Sequence, residues 1–112
     1  MMLTFDDISI VNYARMRDWH GAVEWTLGDW GNALAGECGE LCNVIKKIRR
    51  DQTGLTHEQR TPEHRYQQLK EEIADVYIYL DLIATMCNVH LPSAVQEKFN
   101  KDSEKRGFPQ RL

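Results

Sequence analysis

The chain has 112 residues, 42% of them hydrophobic and 28% charged, and a net charge of −3 at pH 7. That length leaves room for one hydrophobic core and predicts a single domain over 1–112. The mildly acidic balance speaks against a general nucleic-acid binder, so no nucleic-acid partner is expected. Three cysteines do not make a disulfide framework. The start, MMLTFDDISI, lacks the basic-then-apolar order of a signal peptide. The run from Ile73 to Leu91 is nearly long enough to span a membrane, but Asp75 and Asp81 inside it argue against insertion. A cytoplasmic protein with no membrane partner is expected.

In chain order, Thr4-Phe-Asp-Asp7 has the form of a capping box and predicts a first helix from Phe5 to about Trp19. His20-Gly21 and Gly28-Asp29 interrupt the apolar pattern, so a break is expected between them, with Asp29 as the next N-cap. A second helix is expected from about Trp30 to Arg50. Its core stripe reads Leu34, Cys38, Leu41, Ile45 and Ile48, in steps of four and three. Cys38 and Cys42, four apart, have chelating spacing but no second Cys or His pair, and read as small buried thiols. Beside that stripe runs another, Trp30, Ala33, Glu37, Glu40, Val44 and Lys47. Gly36 and Gly39 flank its acids. Glycine inside a helix costs roughly 1 kcal/mol against alanine, which suggests close approach of a helix or ligand.

The polar stretch Asp51–His64, with Gly54 and Pro62, reads as a surface loop long enough for a lid, in which His57 and His64 are solvated. Thr61 caps and Pro62 opens a third helix, which runs to about Asn88. Within it Leu69, Ile73, Val76, Leu80, Ile83 and Cys87 form a core stripe, while Ile78, Tyr79 and Leu82 are apolar surplus. A small bundle cannot hide every face of one helix, so a homo-oligomer, dimer or tetramer, is expected. Asn88 to Leu91 turns the chain, and Pro92 begins a fourth helix that ends near Gly107. No stretch alternates as a strand and no internal repeat is present. The expected fold class is all-α, a bundle of about four helices.

The chemistry lies in the acids. Glu37 and Glu40 are three apart on the second helix, and Glu72 and Asp75 three apart on the third, so each pair points its carboxylates one way. Like charges stacked among apolar neighbours need a cation. Four carboxylates without histidine offer hard oxygen ligands and favour Mg²⁺, with Mn²⁺ as the alternative, over zinc or copper. They also lack the Glu-x-x-His pattern of a di-iron bundle. An ion so held takes substrate phosphate as a further ligand, which points to hydrolysis at phosphorus. Lys47, on the stripe of Glu37 and Glu40, can reach such a phosphate, although a solvated lysine in KKIRR would look the same. Trp30 can stack on a base, although a core tryptophan is an equal reading.

Glu37-Cys-Gly-Glu40-Leu followed by Glu71-Glu-Ile-Ala-Asp75-Val resembles the E-x-x-E … E-x-x-D motif of the MazG-like all-α nucleoside triphosphate pyrophosphohydrolases, over roughly Asn32 to Arg106. The resemblance implies that Glu37, Glu40, Glu72 and Asp75 are the catalytic Mg²⁺ ligands. It further implies cleavage of an NTP or dNTP between its α and β phosphates, to monophosphate and pyrophosphate, by an oligomer. The basic segment of the fourth helix is similar to one that contacts the triphosphate in relatives, which offers Asn100 and Lys101. Trp19, His20 and Trp25 precede the first pair in a region that helps form the base pocket in some relatives, which adds His20 and Trp25 to Trp30. Many relatives carry another glutamate three residues after the second; this chain has Asn43, able to accept a hydrogen bond or act as a neutral ligand. Two other readings stand beside this one: a non-catalytic helical oligomer that binds nucleotide or a protein partner, and a phosphohydrolase acting on another phosphate, such as phosphoribosyl-ATP.

Overall fold

A computed structural model of the chain describes residues 2–21, 23–55 and 58–112. Four helices form, with no strand among the described residues: α1 (Phe5–His20), α2 (Leu27–Thr53), α3 (Pro62–Met86) and α4 (Leu91–Arg106). The chain divides into two compact units, one of Met1–Gly21 with Asp81–Leu112, the other of Ala22–Leu80. Among the described residues no single helix is long and apolar enough to cross a membrane.

Local chemistry sets the helix ends. The box at Thr4 forms as expected: its hydroxyl accepts from the Asp7 N–H at 3.1 Å, and the Asp7 carboxylate accepts from the Thr4 N–H at 3.0 Å. α2 repeats the device three residues earlier than its sequence suggested. Thr26 is the N-cap, its hydroxyl accepting from the Asp29 N–H at 3.1 Å, while Asp29 reaches back to the Thr26 N–H at 2.9 Å. Asp29 is thus the reciprocal acid of a box rather than the cap. α2 continues to Thr53 and closes on Gly54, whose φ of 72° suits a residue without a Cβ. The expected loop is therefore shorter, and His64 lies in the first turn of α3. His57 falls outside the described residues. Thr61 caps α3 as expected, accepting from the His64 N–H at 3.2 Å. α3 ends at Met86, just before Asn88 turns the chain with φ of 55°.

In the first unit the buried centre is polar as well as apolar. Asp81, 1% exposed on α3, accepts from Ser9 Oγ and from Asn12 Nδ2, the latter at 2.9 Å, which ties α1 to the end of α3. Leu82 and Ala84 are buried beside it. Leu82, only 4% exposed, is core and not surplus.

In the second unit the inward faces differ from those expected. α2 buries Trp30 and Val44 and half-buries Leu34, Glu37, Leu41 and Ile48. Ile45 is 51% exposed, and Cys38 and Cys42 are exposed free thiols. α3 turns Gln68, Glu72, Asp75 and Tyr79 toward partial burial, whereas Ile73 is 51% exposed. The two stripes thus share the inside: Leu34, Leu41 and Ile48 on α2 and Leu69 and Val76 on α3 are half-buried as expected, beside Glu37, Glu72 and Asp75, while Glu40 and Lys47 are exposed. A tryptophan offers more area to bury than an isoleucine or a cysteine, and Trp30 sits on the acidic stripe. Its ring meets Trp25 at 4.5 Å and Tyr79 at 6.0 Å between centroids, and this aromatic cluster sets the rotation of α2 against α3.

A candidate metal centre

Glu37 and Glu40 come from successive turns of α2, and Glu72 from α3. Each offers a carboxylate oxygen within 4.8 Å of the others. Glu37 and Glu72 are half-buried and Glu40 is exposed, so the group opens to solvent on one side. Asp75, half-buried one turn from Glu72, stands outside that group of three, but its charge acts on both Glu37 and Glu72.

The electrostatics are unfavourable as they stand. Burial, then the charges of Glu40 and Asp75, push the proton affinity of Glu37 above the ordinary carboxylate value. Glu72 is raised for the same reasons in the same order. Glu37 Oε2 and Glu72 Oε2 are buried without a hydrogen-bond partner. Buried carboxylate oxygens without partners are costly, and a proton or a cation is what relieves them. The donor set is all oxygen and all carboxylate, which fits a hard divalent ion such as Mg²⁺.

The remaining candidates divide between the two units. Trp25 and Trp30 lie together in the second; there Trp30 is a buried core residue, and Trp25, half-buried, is the more accessible ring. Lys47 is exposed on α2, seven residues past Glu40, or about 10 Å along the axis. His20, Asn100 and Lys101 belong to the first unit. His20 stacks on Trp19 at 6.2 Å. Both ends of the Asn100 amide are engaged: Nδ2 donates to the Leu112 carbonyl at 3.2 Å, and Oδ1 accepts the Leu112 N–H at 2.8 Å. Lys101 is exposed.

Two features depart from the sequence reading. Gly36 and Gly39 face open space: a Cβ built on either meets nothing within 4 Å, so the expected close approach does not occur within the described chain. Arg65 and Asp51, fourteen residues apart, form a buried fork, with Nε to Oδ2 at 2.6 Å and Nη2 to Oδ1 at 3.4 Å. Arg65 also donates to the Gln68 amide oxygen at 3.0 Å and the Glu58 carbonyl at 3.1 Å. It thereby ties the end of α2, the following segment and the start of α3 together.

Known proteins resemble this chain over the same stretch. The model of the MazG nucleotide pyrophosphohydrolase domain matches residues 28–107, which include all four acids. The chain is 33% identical to dCTP pyrophosphatase 1 of Mus musculus and 34% identical to that of Homo sapiens, covering 97% of this chain and 61% of each relative. It is 38% identical over 68 residues to the Gene 37 protein of Mycobacterium phage L5, covering 61% of this chain and 55% of that protein. The chain thus spans about three fifths or less of the length of these relatives. With the family match covering most of its residues and both acidic pairs, the chain belongs to the MazG nucleotide pyrophosphohydrolase family.

Proposed function

We propose that this chain is a Mg²⁺-dependent nucleoside triphosphate pyrophosphohydrolase that releases monophosphate and pyrophosphate from a deoxynucleoside triphosphate, as a housekeeping enzyme of the cytoplasmic nucleotide pool. The observation that carries the reading is the group of three carboxylates within 4.8 Å, two of which have buried oxygens with no partner. Membership of the family and the two relatives named dCTP pyrophosphatase 1 support the same reaction. They also make dCTP the first substrate to test.

Glu37, Glu40 and Glu72 would hold the ion, with Asp75 as a fourth carboxylate beside it. Bound there, a divalent ion supplies positive charge to a phosphate and acidifies a water. The chain's own part is to orient and to exclude. Glu37 and Glu72, half-buried, hold the inner side of the site, and Glu40, exposed, faces the solvent side from which nucleotide and water arrive. Lys47 would meet phosphate from α2. Trp25, half-buried beside Trp30, would offer its ring to the base. A homo-oligomer of two or four copies would cover the exposed apolar side chains, among them Ile45 and Ile73.

The test is pyrophosphate and monophosphate release from a panel of NTPs and dNTPs with Mg²⁺, Mn²⁺ or EDTA. Metal-dependent release is expected, reduced at least ~100-fold in kcat by Glu40→Gln. Orthophosphate with nucleoside diphosphate would place the cleavage at the wrong bond. A folded protein with no turnover on any nucleotide would favour a binding module instead.

A further inference from the structure

Farther along the α2–α3 pair, toward the C-terminal end of α2 and the first turns of α3, a second feature lies wholly within the second unit. It is a cavity of about 400 Å³ with Lys47, Arg50, Arg60, His64, Arg65 and Gln68 in its wall. Four of these six residues are permanent cations. Their counter-charges are few. Asp51 is committed to Arg65 at 2.6 Å and also accepts from the Arg60 backbone N–H, and together these hold its carboxyl below the ordinary range. Glu58, the acid in the wall, meets Arg60 at 3.7 Å, with both side chains well exposed. No salt bridge engages Lys47, Arg50 or the His64 ring among the described residues.

Cations gathered around one concavity repel each other and lower that cost by taking up an anion. Guanidinium groups and a lysine suit a phosphate in particular, the first by paired N–H donors and the second as a point charge. The first turn of α3, which supplies His64 and Arg65, adds the positive end of a 25-residue helix. Arg65 itself serves as a rigid wall: four of its five N–H donors go to Asp51, Gln68 and the Glu58 carbonyl, which fixes the cleft's inner surface. The binding capacity therefore belongs to Lys47 and Arg50 on α2 and to Arg60 and His64 across from them.

We infer that this cavity is an oxyanion site for a pyrophosphate-type group and that it works without metal. Gln68 in its wall is one helical turn from Glu72, and Lys47 is two turns from Glu40, so the cavity adjoins the acidic cluster along both helices. Two sources share that chemistry: the terminal phosphates of a nucleotide, and free pyrophosphate acting as a ligand in its own right. Binding of the oxyanion stands apart from the proposed reaction; only the nucleotide source rests on it.

The experiment is a calorimetric titration of the full chain with inorganic pyrophosphate in EDTA. Saturable one-to-one binding is expected, weakened at least ~10-fold by the double substitution Lys47→Gln with Arg50→Gln, and separately by His64→Ala on the facing wall. Lys98→Gln, which removes an exposed cation of the first unit outside the cavity, should leave it within about twofold. Lys47, Arg50 and His64 are exposed, and unchanged circular dichroism would exclude unfolding as the cause. Absence of saturable binding, or binding that survives the double substitution, overturns the site. A non-hydrolysable α,β-imido dCTP that competes with pyrophosphate in EDTA identifies the nucleotide tail as the occupant; lack of competition identifies free pyrophosphate. Since no turnover is read, an inactive enzyme and an empty cavity give different results.

Discussion

At Glu37 and Glu72, burial and neighbouring carboxylates favour the protonated form, so a proton and a metal ion compete for the same oxygens. The competition begins above the ordinary value of 4.5 because both groups are shifted upward. Apparent Mn²⁺ affinity should therefore fall as pH is lowered from 7.5 toward 4.5, with the loss already under way above 4.5, measured by titration with metal at each pH. A flat profile would mean that these two groups do not bind the ion. The sign for Asp51 is opposite. Its carboxyl is lowered from 3.8 by the hydrogen bonds from Arg65, so its contribution to stability is complete above that value and is lost as pH falls below it. Asp51→Asn should lower the Tm at pH 7 by at least ~5 °C and reduce its acid sensitivity, seen in melting curves from pH 7 to 3. The acidic pairs were readable in the sequence because i,i+3 spacing is local. The Arg65–Asp51 fork was not, since two charged residues fourteen apart carry no sign that they meet.

At the scale of the element, the four helices and their order follow from capping residues, breakers and apolar spacing. Their rotation does not. α2 offers two stripes that overlap in position, and periodicity alone favours the one richer in Leu and Ile. Burial of Trp30 and Val44 draws the other inward as well, and Glu37 with it, while Glu40 stays exposed. The comparison is measurable by urea denaturation. Trp30→Ala should cost ~3–5 kcal/mol, and Ile45→Ala less than ~1 kcal/mol if Ile45 faces only solvent. An Ile45 cost of 2 kcal/mol or more would mean that something outside the chain covers it. The cap of α2 was misassigned for a simpler reason: Thr26 and Asp29 are both good caps, and only their reciprocal bonds tell which residue begins the helix.

For the molecule as a whole, exposed apolar side chains are numerous, including Ile10, Val11, Trp19, Ile45 and Ile73. Light scattering should give at least twice the 13.1 kDa of one chain. A monomer at micromolar concentration would remove the oligomer from the proposal. The family was legible because its signature consists of a few carboxylates at fixed spacing on helices, a pattern that a short chain displays openly. Substrate choice was not, because Trp25, His20 and Asn100 come from separate parts of the chain and their chemistry depends on how those parts meet.

Gly36 and Gly39 bracket Glu37 on a helix where an added methyl would touch nothing within 4 Å. Replacing both with alanine should therefore make the fold more robust, by roughly 1 kcal/mol at each position. Stability was thus available to this helix at the cost of two codons, and the chain forgoes it beside its own acids. Alanine there would raise the melting temperature and, if a nucleotide or second copy passes close to that bare strip, would lower turnover in the same protein. Heat resistance and activity would then be selected against each other at these two positions, leaving the helix tuned for access and not for endurance.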